Sequence, residues 1–131
     1  MTALKNGAID PLIWSRIHYF AKIRKGISYL EDHLSEEVTL ADVAAAACHE
    51  QTAFSKSFRK RIGISFREFA QTLRIVRSIE TMGASDLSLT EIAFSVGFNN
   101  LTTFERAFRK CTGLSPSDYR KSLLVSKGIA Q

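Results

Sequence analysis

The stretch LTEIAFSVGFNNLTTFERAFRKCTGLSPSDYR, residues 89–120, decides the fold. Ser88 stands before it and Glu91 three positions on, a hydroxyl and an acid spaced to cap a helix start reciprocally. That predicts a short helix over Leu89–Val96, a turn over Gly97–Asn99, and a second helix capped by Asn100. In the second helix Phe104 and Phe108 share one face at about 100° per residue, while Thr102, Glu105, Arg106 and Arg109 lie opposite. Ser115–Asp118 is another capping pair, and Pro116 suits the first helical position because an amide there would be unpaired anyway.

Working outward, the same pattern occurs earlier in the chain. Phe54, Phe58, Gly63, Ser65 and Phe69 recur fifty positions later as Phe104, Phe108, Gly113, Ser115 and Tyr119. Thr39, Leu40, Asp42 and Ala44 recur forty-nine positions later as Ser88, Leu89, Glu91 and Ala93, so one residue is inserted near Phe98–Asn100. The first unit then reads as a helix over Leu40–Ala47, a turn at Cys48–His49, and a helix from about Glu50 to Ile62. Capping pairs at Thr39–Asp42 and Ser65–Glu68 complete four in matching places. Between the units, Phe66, Phe69, Ala70, Leu73, Val76, Ile79 and Met82 make one apolar stripe of a connecting helix, with Gly83 expected to close it in the left-handed conformation. Strand-like alternation is absent over any useful length. The expected class is all-α.

Two short helices around a tight turn are the corner with which helix-turn-helix proteins enter the major groove. Both second helices put short polar groups and one long cation at matching positions, Thr52 with Thr102 and Lys56 with Arg106. Short residues let a backbone approach the base edges, which Arg or Lys then reaches. Eighteen Lys and Arg against thirteen Asp and Glu give +5, a balance that favours a polyanionic partner without proving one.

Residues 89–120 resemble the signature of the AraC/XylS family of bacterial transcription regulators. The carriers are Ile92–Ala93, Val96–Gly97–Phe98, the two core phenylalanines, and Gly113-x-Ser115-Pro116-x-x-Tyr119-Arg120. The first unit, TLADVAAAACHEQTAFSKSFRKRIGISFREF, follows the weaker half of the family pattern, and together they cover about residues 23–120. The resemblance implies a seven-helix domain of two helix-turn-helix subdomains joined by a central linker helix, with recognition helices entering successive major grooves. It implies base contacts at Thr52, Ser55, Lys56, Leu101, Thr102 and Arg106. Phosphate contacts are expected at Arg59, Lys60, Arg109 and Lys110, and at the helix starts of Thr39 and Ser88. RNA polymerase as a partner comes from the family alone.

Three positions depart from the family. Glu50 replaces a small hydroxyl at the first recognition helix; it suits the helix dipole but repels phosphate. Glu105 on the groove face either reads a cytosine amine or pairs with Arg109 at i,i+4, the pairing being favoured. Thr52 is smaller than the usual residue there.

The expected organisation is an N-terminal extension or connector over 1–21, a first subdomain with linker helix over 22–83, a second over 84–124, and a tail over 125–131. Asp10–Pro11 reads as a helix start. Ile13, Phe20, Ile27 and Leu34 repeat by seven, which suits either packing on the chain's own domain or a connector seam able to pair two copies. Gly26 within it costs about 1 kcal/mol relative to Ala. The expectation is either a compact stand-alone regulator or, favoured over it, the C-terminal DNA-binding part of a longer one, cytoplasmic in either case, with no cleavable leader and no apolar run of spanning length.

Other classes are weaker. Cys48 and Cys111 lack partners at zinc spacing and read as small buried hydrophobes in a reducing compartment. His18, His33 and His49 have no nucleophile or carboxylate placed beside them, and no phosphate-cradling glycine loop exists, so no enzyme and no cofactor is expected. The rival is an adaptor module that kept the fold without DNA binding, supported only by Glu50 and Glu105.

Overall fold

The computed structural model describes residues 3–126. It opens on a two-stranded antiparallel hairpin, β1 (Leu4–Lys5) and β2 (Ala8–Ile9), paired Leu4 to Ile9 and Lys5 to Ala8. Helices α1 (Pro11–Tyr19), α2 (Ala21–Asp32), α3 (Leu40–Ala46), α4 (Gln51–Ile62), α5 (Phe66–Ala84), α6 (Leu89–Ser95), α7 (Leu101–Thr112) and α8 (Pro116–Ser126) follow. The all-α class holds, and α2–α8 supply the seven expected helices, with α1 and the hairpin placed before them. The hairpin was not foreseen. Its turn is Asn6–Gly7, both at positive φ (54° and 78°), the dipeptide that matches the twist of a two-residue hairpin loop.

The expected helix starts are present, with one refinement. Thr39–Asp42 and Ser88–Glu91 form full capping boxes, hydroxyl accepting from the third amide and acid accepting from the cap amide. Ser65 and Ser115 make only the first of these bonds, to the amides of Glu68 and Asp118. Asp10 caps α1, accepting from the Leu12 amide, with Pro11 behind it.

The long apolar repeat near the N-terminus does not run as one helix. Phe20 is extended (φ −98°, ψ 107°) and separates α1 from α2. Ile13, Ile17, Ile23, Ile27, Leu30 and Leu34 are all buried in the chain's own first core, leaving no continuous seam for a second copy. Gly26 has a reason: a Cβ there would lie 3.0 Å from the Phe54 ring and Val43, so its absence lets α2 approach α3 and α4.

Two cores result. The first gathers Ala3 and Ile9 of the hairpin with α1–α4 and, from α5, Phe66, Phe69, Leu73 and Val76. The second gathers Ile75 and Met82 of α5 with Ile92, Ala93, Val96, Phe98, Phe104, Ala107 and Phe108. Helix α5 therefore turns one side to each core. It runs through Gly83 to Ala84, so Gly83 is not the left-handed cap expected of it. Left-handed residues close other helices instead: Gly63 ends α4 and Gly113 ends α7. The tail beyond 126 lies outside the described residues. No described helix is long and apolar enough to cross a membrane.

Candidate nucleic-acid interface

Each helix-turn-helix corner is built by one device. In the first turn the His49 amide donates to the Ala44 carbonyl (2.9 Å), with Cys48 left-handed at φ 56°. In the second the Phe98 amide donates to the Ala93 carbonyl (3.0 Å), with Gly97 left-handed at φ 98°. This wrapping of a helix C-terminus satisfies carbonyls that would otherwise be orphaned. Four residues separate α3 from α4 and five separate α6 from α7, which is the inserted residue the repeat required.

The second helix of each corner is anchored by aromatics. Phe54, Phe58 and Ile62 fix α4, and Phe104, Ala107 and Phe108 fix α7. Phe58 meets Phe66 edge-on at 5.7 Å and Phe108 meets Tyr119 edge-on at 5.3 Å. With one face locked, the opposite face is presented. Thr52, Lys56, Arg59 and Lys60 on α4 are exposed, as are Thr102, Arg106, Arg109 and Lys110 on α7. Ser55 is half-buried and lines the cleft between the units with Arg67, Gln71 and Phe98. Leu101 is half-buried against the second core, so part of its side chain is spent on packing.

The caps differ between the units. Asn100 accepts from the Thr103 amide at 2.8 Å. Glu50 folds back over its own helix start, accepting from the amides of Thr52 (3.0 Å) and Ala53 (2.8 Å). Those bonds, the Thr52 amide first, hold its carboxyl below the ordinary value. Its charge is thus committed to the helix start, where the dipole favours an anion. At Thr39 and Ser88 the cap amide already donates to Asp42 and Glu91, respectively, so two amides of each helix start are taken up internally.

Two expectations are corrected. Glu105 and Arg109 do not pair; the ion pairs among the described residues are Arg77 with Glu31 (2.9 Å) and with Glu80 (3.2 Å). An exposed i,i+4 pair gains only a few tenths of a kcal/mol, too little to hold two long side chains together. Cys48 is exposed, because a left-handed turn residue projects outward; Cys111 is half-buried, and burial pushes its thiol up. Among the described residues no cluster of His, Cys, Asp and Glu could hold a metal. His33 stacks on Tyr29 at 4.0 Å and bonds its carbonyl, and His49 meets Phe54 edge-on, both packing roles.

Sequence reasoning missed Arg74. Its guanidinium bonds to the carbonyls of Leu34 and Val96, one from each unit, the latter at 2.8 Å. The available signal was a cation between Leu73 and Ile75, inside the otherwise apolar stripe of α5.

Two helix-turn-helix corners on one linker helix, each presenting a polar and cationic second helix, define a bipartite helix-turn-helix module. A family model described as a helix-turn-helix domain matches residues 43–122, and the chain belongs to the AraC/XylS family of DNA-binding transcription regulators. The regulatory protein PocR of Salmonella typhimurium is 33% identical over 103 residues, covering 79% of this chain and 34% of that protein. The arabinose operon regulatory protein of Escherichia coli is 31% identical over 100 residues, 76% of this chain and 34% of that one. The chain thus spans about a third of the length of these relatives. Among solved structures, the DNA-binding domain of AdpA in complex with a target DNA superposes with a TM-score of 0.75 at 25% identity, over 80% of this chain and 95% of that one. The C-terminal domain of AraT, a response regulator of Geobacillus stearothermophilus, gives 0.71 at 27% identity, covering 86% of each chain.

Proposed function

We propose that the domain reads duplex DNA with both units at once, α4 and α7 entering successive major grooves. One observation carries this: both units lock a helix by two buried phenylalanines and present, at matching positions, a small polar residue and a long cation. Arg106 is assigned the leading base contact, since a guanidinium matches the two acceptors of guanine bidentately. Lys56, Thr52, Ser55 and Thr102 read neighbouring edges, and the exposed part of Leu101 offers apolar contact to a thymine methyl. Arg59, Lys60, Arg109 and Lys110 neutralise phosphates; Thr39 and Ser88 act through the first-turn amides they order. The folding back of Glu50 fits this reading, because its carboxylate is engaged by the Thr52 and Ala53 amides of its own helix start.

The same proposal places the domain at the C-terminal end of a longer cytoplasmic regulator, a position supported by the AraT neighbour, itself a C-terminal domain. Contact with RNA polymerase is supported by family membership. Pairing of two copies would have to use a surface other than the buried apolar repeat of α1 and α2.

Selection from a random duplex pool tests the reading and should return two half-motifs about one helical turn apart. Arg106→Ala should flatten preference at one base pair, costing about 1–3 kcal/mol there, and affinity should fall steeply with salt. Salt-insensitive binding, or unchanged preference in the Arg106 variant, would defeat it in favour of an adaptor role.

A further inference from the structure

We infer that Arg74 is the residue that sets the register between the two recognition helices. It rests on the two-groove reading above for its functional consequence, but its structural basis is independent of DNA. Arg74 sits on α5 where the helix changes allegiance: Leu73 and Val76 face the first core, Ile75 and Met82 the second. Its Nη1 donates to the Leu34 carbonyl, just past α2, and to the Val96 carbonyl, which closes α6. Those two bonds join backbone carbonyls that lie outside α5, one in each unit. Arg77 pairs with Glu31 of the first unit and with Glu80 of its own helix, and Arg120 reaches Ser85 and Leu87 beside its own core.

The site is shaped for this cation. Gly97 stands at φ 98° over the guanidinium, and a Cβ there would fall into the Arg74 side chain and against the Leu34 carbonyl. The turn that launches α7 is therefore seated on the same group that holds the end of α2. Arginine suits the position because its planar, permanently charged fork serves two acceptors in fixed directions, whereas a lysine ammonium is a compact point charge.

Register matters because the lever is long. Half-sites one turn apart lie about 34 Å from each other, so each recognition helix works roughly 17 Å from the hinge. A 10° rotation about α5 then displaces a recognition helix by roughly 3 Å, close to the ~3.4 Å separating successive base pairs. A linker free to rotate by that amount would accept operators of several spacings and would lose the advantage of a preorganised pair. Arg74 is thus a positioning residue for spacing, contacting no base itself.

The test separates spacing from folding and from binding. Kd values are measured by fluorescence anisotropy on the selected operator, on operators with one base pair added or removed between half-sites, and on a duplex keeping one half-site. For the wild type a one-base-pair change should cost tenfold or more. Arg74→Met should lose about tenfold on the intact operator, stay within twofold on the single half-site, and show a spacing penalty below threefold. Arg74→Lys, which keeps the charge, should show the same pattern at about threefold; it serves where the Met variant does not fold. An unchanged spacing penalty, or equal losses on both duplexes, overturns the inference. Spin labels at Ala45→Cys and Thr90→Cys, with Cys48→Gly and Cys111→Ala, report the inter-unit distance without DNA. It should be narrow in this background and at least twice as broad with Arg74→Met. Equal widths overturn the inference even where no bipartite operator exists, a result that would by itself refute only the two-groove reading.

Discussion

The two corner turns are an internal experiment, because the repeat aligns Cys48 with Gly97 and both residues are left-handed. An L-residue there costs about 1–2 kcal/mol. Cys48→Gly removes that strain from an exposed position with little packing to lose, while added freedom in the unfolded chain costs about 0.4–1 kcal/mol. The net expectation is a gain of roughly 0.5–1 kcal/mol. Gly97→Ala is the reverse change with an additional term. It incurs the left-handed penalty and also pushes the Arg74 guanidinium off the carbonyls of Leu34 and Val96, hydrogen bonds of a charged donor that contribute about 1.5–3 kcal/mol each. Allowing for rehydration of the freed groups, a loss of about 3–5 kcal/mol is expected, a large share of a domain's usual stability. Urea unfolding under reducing conditions measures both. With a slope of about 1.5 kcal/mol/M, Gly97→Ala should lower the midpoint by roughly 2–3 M and Cys48→Gly raise it by about 0.5 M. A double-mutant cycle decides the cause: in an Arg74→Met background the Gly97→Ala cost should shrink by the contribution of the guanidinium bonds, leaving the left-handed term of about 1–2 kcal/mol and the close approach to the Leu34 carbonyl. An equal cost in both backgrounds would refute the idea that Gly97 is required by the cation beneath it.

Two other outcomes are expected. Acid stability should follow the caps: Asp42, Glu91 and Glu50 have folded pKa values lowered chiefly by the backbone amides of Thr39, Ser88 and Thr52. Their stabilisation is complete above the unfolded values near 4 and is lost as pH falls through the lower folded values, so Tm should hold from pH 7 to about 5 and drop below. A variant combining Asp42→Asn, Glu50→Gln and Glu91→Gln should begin less stable and fall less steeply in acid; parallel curves would count against the caps. Thiol titration at neutral pH should show one fast group and one slow group, because Cys48 is exposed and burial both shields the Cys111 thiol and pushes it up. Cys48→Gly should remove the fast phase, and two equal rates in the unmodified chain would contradict the burial difference.

What was legible in the sequence was local. Capping pairs, the aromatic positions of α4 and α7, and the inserted residue before Asn100 are set by contacts within a few residues, and a repeat doubles every such signal. Failures arose where a local rule had a competitor elsewhere in the chain. Gly83 satisfied the sequence rule for a helix end, but α5 continued one residue beyond it. The seven-residue spacing from Ile13 to Leu34 suited both packing on the chain's own domain and a seam; these residues do pack inward, but Phe20 divides the stretch into two helices where one was expected. The hairpin was missed for the opposite reason. Asn6–Gly7 is a strong turn signal, but strands of two residues are too short to show alternation.

Arg74 belongs to a third kind, in which the residue is plain in sequence and its partners are not. Leu34 and Val96 lie forty and twenty-two positions away and contribute carbonyls, which every residue possesses, so no pattern of side chains could have pointed to them. What the sequence does hold is the pairing of an unexpected cation within an apolar stripe and a glycine in the second turn where the first turn tolerates cysteine. The difference between those turns is physical: a Cβ at Cys48 points into solvent, while one at Gly97 would meet the guanidinium. Glycine is therefore demanded in the second unit by the junction between units, in addition to the turn itself. The asymmetry between two otherwise repeated corners marks the place where they are joined.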